Sequence, residues 1–174
     1  MSEYEPVLEA FHAYATGYAR LQAVQESNSA IPLGDQKAGC IGEFYARLFL
    51  KQRFAGARVE FGGHSNKGWD LLVSIQGGSE HKVQVRTVSA YSTKRRLTPV
   101  HCGWHELFVV YLGRGFNPIG FWICANPAIV AEGEELKGLC APTPDGGAAG
   151  SAVLALGANR IDEFMQAIQR ELAA

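Results

Sequence analysis

Four polar residues in a fixed order carry the strongest chemical signal in this chain of 174 residues. Glu43 falls in a helix-like stretch, and Asp70 begins an apolar strand. Gln84 and Arg86 alternate within the next strand. Two carboxylates and an amide oxygen are hard ligands suited to Mg²⁺ or Mn²⁺, and a cation beside them can hold a phosphate. The set predicts metal-assisted phosphodiester chemistry, with metal ligands Glu43, Asp70 and Gln84.

The loop between the two strands decides whether these side chains meet. A three-residue loop over 76–78 pairs Asp70 with Gln84, whereas a two-residue loop pairs Asp70 with Val85 and mixes the polar and apolar faces. A slip of one residue turns every side chain of a strand to the opposite face, so burial of the apolar residues favours the longer loop. We therefore expect Asp70, Gln84 and Arg86 on one face, opposite the apolar residues of both strands.

In order and spacing, the four residues resemble the PD-(D/E)XK nuclease superfamily over about residues 37–125. The third motif of that family is an acidic residue or Gln, any residue, and then Lys; Gln84 fits, but Arg86 replaces the lysine. The resemblance implies a restriction-endonuclease-like core and a metal-dependent DNA endonuclease, with catalytic residues Glu43, Asp70, Gln84 and Arg86. In the family, the lysine orients or deprotonates the attacking water. Arg86 cannot be that base, because a guanidinium stays protonated, but it can clamp a phosphate.

Each member of the set also has a purely structural interpretation. Glu43 and Arg47, four residues apart on a helix, can form an exposed ion pair. Asp70 can bond the amides of a turn. Gln84 and Arg86 can lie on the solvated face of an edge strand.

Two alternatives to an active nuclease stay open. If the replacement of lysine by arginine abolished cleavage, the chain is a catalytically inactive, nuclease-derived module that binds nucleic acid or protein. In the other alternative, the chain is an interaction protein and the order of these residues is a coincidence. Separately, His101, Cys102 and His105 could hold zinc, but a structural zinc site uses four ligands and no further pair is evident.

The net charge of −1 is mild evidence against a nucleic-acid-binding protein, since binding depends on neutralising phosphates. The distribution of charge is more favourable, because residues 81–105 contain no acidic residue. The candidate contacts to DNA are Lys67, Lys82, Tyr91, Lys94, Arg95 and Arg96. The alternative for residues 91–96 is a solvated loop. Lys67 or Lys82 could also replace the missing lysine in space.

Hydrophobic periodicity predicts one α/β domain over residues 1–174, with a mixed central sheet flanked by helices. The N-terminal helix covers 3–26, the core about 37–125, and a C-terminal loop and helix 141–174. The core begins with a helix over 36–54, and its strands are 58–62, 69–75, 81–88, 105–112 and 119–124. The last two strands are predicted to be interior and covered on both faces. The tyrosine-bearing stripe of the first helix is either core or the surface of a homodimer.

The cysteines and the apolar runs indicate the cell compartment. The four cysteines form no CxxC pair, and no charged-then-apolar leader precedes them. No apolar run approaches the roughly 18 residues of a membrane helix. We therefore expect reduced thiols in a cytoplasmic protein without a membrane segment.

Overall fold

A computed structural model of the chain describes residues 4–27, 38–62, 68–75, 77–125, 134–145 and 157–174. Its elements run in the order α1 (Glu5–Ser27), α2 (Ala38–Arg53), β1 (Arg58–Phe61), β2 (Leu71–Ser74), β3 (Glu80–Ser89), β4 (Val100–His101), β5 (Glu106–Leu112), β6 (Pro118–Cys124), β7 (Glu135–Leu136) and α3 (Ile161–Ala173). The predicted helices and strands of the core are therefore confirmed, with ends that differ by a few residues. Most of the predicted loop that begins at 141 lies outside the described residues.

The central sheet has five strands in the order β1-β2-β3-β5-β6. β1, β2 and β3 form an antiparallel meander, β5 pairs in parallel with β3, and β6 returns antiparallel to β5. A single α/β domain with a mixed sheet is thus confirmed, and β3 is its middle strand. The sequence did not predict β4 and β7, which pair as a separate two-stranded sheet.

Helix α2 packs so closely on β3 that only glycine fits at the contact. A Cβ atom at Gly42 would lie 1.9 Å from Oγ1 of Thr87. That hydroxyl is buried and has no hydrogen-bond partner among the described residues. The close approach holds Glu43, the next residue of the helix, beside β3.

The apolar stripe of α1 packs within the chain, as the core interpretation predicts. The ring of Phe11 lies 5.0 Å from that of Phe44 on α2, and the ring of Tyr18 lies 5.5 Å from that of Phe116. Tyr14 is the exposed aromatic residue of this stripe, at 36%. The homodimer stays a prediction, and the packing of the stripe gives it no support.

The prediction that 119–124 is an interior strand is wrong in one respect. β6 is buried on most of its length but stands at the edge of the sheet. Its free edge is covered by the loop before α3: the Phe121 N–H donates to Asn159 Oδ1 at 3.0 Å, and its carbonyl accepts the Arg160 N–H at 2.8 Å. A covered edge strand has the same apolar pattern as an interior one.

Two expectations about composition can be compared with the fold. The four cysteines, Cys40, Cys102, Cys124 and Cys140, are free thiols. Among the described residues, no helix combines the length and apolar character needed to cross a bilayer.

Candidate functional site

The strand register that the site requires is the one that the apolar pattern predicts. Leu71 of β2 lies opposite Val83 of β3, and both side chains are fully buried. This register confirms the three-residue loop over the alternative of two. Gly77 and Gly78 have φ of 104° and 86°, conformations that residues with a Cβ rarely adopt.

Asp70 and Arg86 are in direct contact. Asp70 immediately precedes β2, and its Oδ2 accepts the Val85 N–H at 2.7 Å and an N–H of Arg86 Nη1 at 3.2 Å. The carboxylate thus binds the β3 backbone one residue before the arginine. Asp70 bonds a strand amide here, which is close to its structural interpretation as a carboxylate that bonds turn amides.

Arg86 is largely committed to partners within the protein. Its Nε and Nη2 donate to the Pro99 carbonyl at 2.9 and 2.7 Å, and Nη1 also donates to the Val85 carbonyl at 2.8 Å. A guanidinium has five N–H donors, and with the Asp70 bond the described residues engage four of them. The side chain is 11% exposed. A paired clamp on a phosphate therefore requires Arg86 to release a protein partner.

Gln84 is fully buried in the middle strand of the sheet, so its interpretation as a residue on a solvated edge is wrong. The same correction applies to Arg86. The Oε1 atom of Gln84 accepts the His101 N–H at 3.2 Å.

Glu43 lies within the electrostatic influence of both charged members of the site. Its burial and the nearby Asp70 charge raise its pKa to about 7, against a smaller opposing effect of Arg86. The predicted alternative, an ion pair with Arg47, is wrong. Arg47 instead donates from Nε to the Val59 carbonyl at 3.2 Å and lies over the Phe61 ring.

The two carboxylates are short of positive partners. Burial raises the pKa of Asp70 above its ordinary value, although the Val85 N–H and Arg86 both oppose the change. Burial also disfavours the charged form of Arg86 and lowers the pKa of its guanidinium. One partly desolvated guanidinium is therefore insufficient for two carboxylates, and an added cation would favour the charged form of both.

The residues present fit a divalent metal in part. Among the described residues, no group of three or more His, Cys, Asp or Glu side chains is arranged to hold a metal ion. Asp70 and Glu43 supply two carboxylates, and the third predicted ligand, Gln84, is an amide. The donor chemistry suits Mg²⁺ or Mn²⁺, with Gln84 sharing its oxygen with a backbone N–H.

The alternative zinc ligands do not converge. Nε2 of His101 lies 3.5 Å from the Glu135 carboxylate, across the small sheet. Nδ1 of His105 accepts the Lys82 N–H at 2.9 Å, and its ring stacks on His81. Each histidine thus has a structural role.

A cleft of about 600 Å³ opens between the last turns of α1, the start of α2 and the end of β3. Glu43 and Arg86 line it, whereas Asp70 and Gln84 are not among the described residues of its wall. The other charged residues of the wall are Glu26, Lys94, Arg96 and Arg114. This basic cleft, defined by those residues, adjoins the candidate site.

The candidate DNA contacts separate into two groups. Tyr91, Lys94 and Arg96 line the basic cleft. Arg95 is not part of its described wall, and Lys82 lies 3.7 Å from Glu80 near the start of β3. The remaining candidate contact, Lys67, lies outside the described residues.

The Tyr91 ring packs against other aromatic rings of the protein, whereas the sequence suggests a ring that stacks on a base. Its ring packs 4.7 Å from that of Tyr18 and 6.1 Å from that of Phe116. Its hydroxyl donates to the Arg114 carbonyl at 3.2 Å. The ring is part of an aromatic cluster that supports the wall of the cleft.

Arg114 is a cleft residue that the sequence analysis missed. It lies in the turn between β5 and β6, and its guanidinium stands 5.7 Å from the centre of the Tyr91 ring. The sequence presents it between Gly113 and Gly115, a pattern typical of a turn. Its position 28 residues after Arg86 gives no local signal that the two share a cleft.

Comparison with known proteins leaves the geometry as the basis for assigning function. No family model matches the sequence, and no curated protein matches it. A fold alone does not define an activity, so the residues of the site must carry the argument.

Proposed function

We propose that the chain is a metal-dependent DNA endonuclease of the PD-(D/E)XK type, with a restriction-endonuclease-like core. One observation carries the proposal: two carboxylates with raised pKa values, Glu43 and Asp70, lie around one arginine beside a basic cleft. Perturbed titratable groups gathered at a cleft are a recognised feature of functional sites. Helix α2, the meander of β1, β2 and β3, and the parallel strand β5 are consistent with the proposed core.

The proposed metal ligands are Asp70, Gln84 and Glu43, the last directly or through water. Bound Mg²⁺ or Mn²⁺ would polarise the phosphoryl group and lower the pKa of a bound water. Gln84 contributes no charge, so the site should bind metal more weakly than one with three carboxylates.

The protein's own residues have distinct proposed roles. Arg86 lies beside the Asp70 charge and opposes the rise in the pKa of that carboxylate. With a pKa of about 7 and a place in the cleft wall, Glu43 can hold or release a proton at its carboxylate near neutral pH. Lys94, Arg96 and Arg114 would neutralise the phosphates of the DNA backbone.

A second function, a nuclease-derived module that binds DNA without cutting it, has one observation in its favour. Arg86 donates its hydrogen bonds to Pro99, Val85 and Asp70. A guanidinium held this way cannot act as a base and has one donor left for a phosphate.

The test of cleavage is a nicking assay on supercoiled plasmid and on single-stranded circular DNA, with Mg²⁺ or Mn²⁺. We expect nicking by the wild type and loss of about 100-fold or more in Asp70→Ala, because the main charged ligand is removed. The matched control is Glu60→Ala, which removes an acid that pairs with Arg58 on the edge strand. Equal activity of wild type and Asp70→Ala would exclude Asp70 as a ligand.

Arg86→Lys tests whether the arginine limits catalysis. The variant restores the usual family motif, and we expect a faster reaction, since a lysine can orient or deprotonate water. If wild type and Arg86→Lys both stay inert with every metal while the protein still binds DNA, the binding module is the better assignment. If neither binds nor cuts, an interaction role without DNA takes its place.

A further inference from the structure

We propose that the basic cleft receives DNA as a single strand, so that the substrate is a single-stranded segment, flap or frayed end. This inference rests on the proposed function, because it takes the strand to be the substrate of the site formed by Glu43 and Arg86. It concerns which form of DNA can reach those two residues.

The size of the cleft is the first argument. Its volume of about 600 Å³ lies within the range of roughly 300–1,000 Å³ typical of pockets that enclose small ligands. A B-form double helix is wider than its own major groove, which is about 12 Å across, so an intact duplex is too large to enter a space of this volume. A nucleotide or two of one strand can enter it.

The position of the site residues is the second argument. Glu43 and Arg86 belong to the wall of the cleft and are both partly buried. Helix α1 contributes Tyr18 and Gln22 to the same wall. A phosphate that enters the cleft to reach Glu43 lies between α1 and the end of β3, which favours a strand freed from its partner.

The chemistry of the wall is the third argument. The wall contains four cationic residues, Arg86, Lys94, Arg96 and Arg114, and two acidic ones, Glu26 and Glu43. Of the four, Arg86 already bonds within the protein, so Lys94, Arg96 and Arg114 are the proposed phosphate contacts. The wall also includes Ser92, Thr93 and Thr98, whose side chains carry hydroxyl groups. Cations and hydroxyl donors bind phosphate and sugar oxygens without reading a base edge, as in grooves that follow a single strand.

The experiment is a fluorescence-anisotropy titration with a 12-nucleotide oligo(dT) and a blunt duplex of equal length, in Ca²⁺ to prevent cleavage. We expect the wild type to bind the single strand at least tenfold more tightly. In Arg96→Gln/Arg114→Gln, affinity for the single strand should fall about tenfold. The salt slope should fall by about 1.4, because each lost phosphate contact on a single strand contributes about 0.7.

The matched control is Arg58→Gln/Arg170→Gln, which makes the same change in net charge at exposed positions outside the cleft wall. The control should keep the affinity and slope of the wild type. Circular dichroism establishes that both double variants are folded; all four arginines are exposed, so substitution should not disturb the core. Equal or tighter binding of the blunt duplex would overturn the inference, and so would equal weakening by the cleft and control variants.

A cleavage assay on the same two oligonucleotides separates this inference from the proposed function. Cleavage of the blunt duplex that depends on Asp70 but shows no preference for a single strand would overturn the inference and leave the nuclease standing. Selective binding of the single strand through Arg96 and Arg114 without cleavage would support the cleft assignment and reject the nuclease. Failure to bind either oligonucleotide would reject both.

Discussion

Two groups of charged side chains beside β3 both combine carboxylates with an arginine, but the pKa values of their carboxylates shift in opposite directions. Near the start of the strand, Glu106 accepts two hydrogen bonds from Arg53 at 2.8 and 3.0 Å, and its Oε2 lies 2.9 Å from His81 Nε2. Burial alone would raise the pKa of Glu106, but these partners lower it below the ordinary value. Further along β3, Glu43 and Asp70 both have raised pKa values.

The difference lies in the number and geometry of the partners. Arg53 meets Glu106 through both arms of its guanidinium, the geometry that best stabilises a carboxylate. Arg86 gives Asp70 one N–H and gives two of its donors to Pro99.

We call a carboxylate whose partners lower its pKa a matched carboxylate; these partners favour its charged form, and the group contributes to the stability of the fold. Glu171 on α3 belongs to the same class, since Lys51, Gln52 and Tyr4 together lower its pKa despite its burial. Glu43 in the cleft wall and Asp70 beside it have weaker compensation, because both pKa values are raised, so a cation or a proton would be favoured at them. We therefore interpret Glu106 as structural, and the contrast supports the proposal that Glu43 and Asp70 belong to a functional site.

The largest effect expected from this comparison is on stability. Arg53→Leu removes the arginine from the buried Glu106 and leaves the contact with His81, and we expect a loss of about 2–3 kcal/mol in the free energy of unfolding. The expected loss is smaller than the roughly 3–5 kcal/mol of a fully buried ion pair, because the Arg53 side chain is 35% exposed. Urea denaturation at pH 7 measures it.

The control for that experiment is Arg58→Leu, which breaks an exposed ion pair with Glu60. Such pairs contribute about 0–1 kcal/mol, so the control should unfold nearly as the wild type does. Similar small losses in both variants would mean that Glu106 does not depend on Arg53, and the contrast between the clusters would fail.

The next effect is stabilisation by metal. With Mn²⁺ at ten times its dissociation constant, the free energy of unfolding of the wild type should rise by about 1.4 kcal/mol. Asp70→Asn should lose this gain, because it keeps an acceptor for the Val85 N–H but removes the charge. Glu106→Gln should keep it. Denaturation with Mn²⁺ and with EDTA compares the three proteins, and an equal metal effect in all of them would place the ion elsewhere.

The sequence was sufficient for the parts of the site that depend on local alternation. Burial of Leu71 opposite Val83 fixes the register, and the register brings Asp70 to Arg86. Long-range contacts could not be predicted from the sequence. The Pro99 carbonyl reaches Arg86 because the neighbouring loop is held by Leu97, whose N–H donates to the Leu139 carbonyl. No periodicity in the sequence reports a bond between positions so far apart.

The environment of Glu43 shows a second reason for incomplete prediction. Helical periodicity places Glu43 opposite the apolar face of α2 and therefore predicts an exposed position. The helix is buried over more than one stripe, because α1, α3 and the sheet all pack on it. A helix enclosed on several sides has no single exposed face, so Glu43 becomes half-buried and its pKa rises.

The smallest predicted effect is the pH dependence of stability at Glu43. Its pKa is about 7 when folded and near the ordinary 4.5 when unfolded, so the folded state binds the proton more tightly. Stability must therefore fall as pH rises from about 4.5 through 7. Glu43→Gln removes this penalty, and we expect it to gain about 1 kcal/mol over the wild type between pH 5 and pH 8, a value reduced for partial exposure.

Glu106→Gln should change the pH dependence of the free energy of unfolding in the opposite direction. A lowered pKa stabilises the fold above the unfolded value and loses this contribution as pH falls through the folded value, so Glu106→Gln should be destabilised at pH 8 and less so in acid. Urea denaturation of both variants at several pH values gives the two trends. If Glu43→Gln followed the trend of Glu106→Gln, Glu43 would be a matched carboxylate too, and its place in a functional site would lose its electrostatic basis.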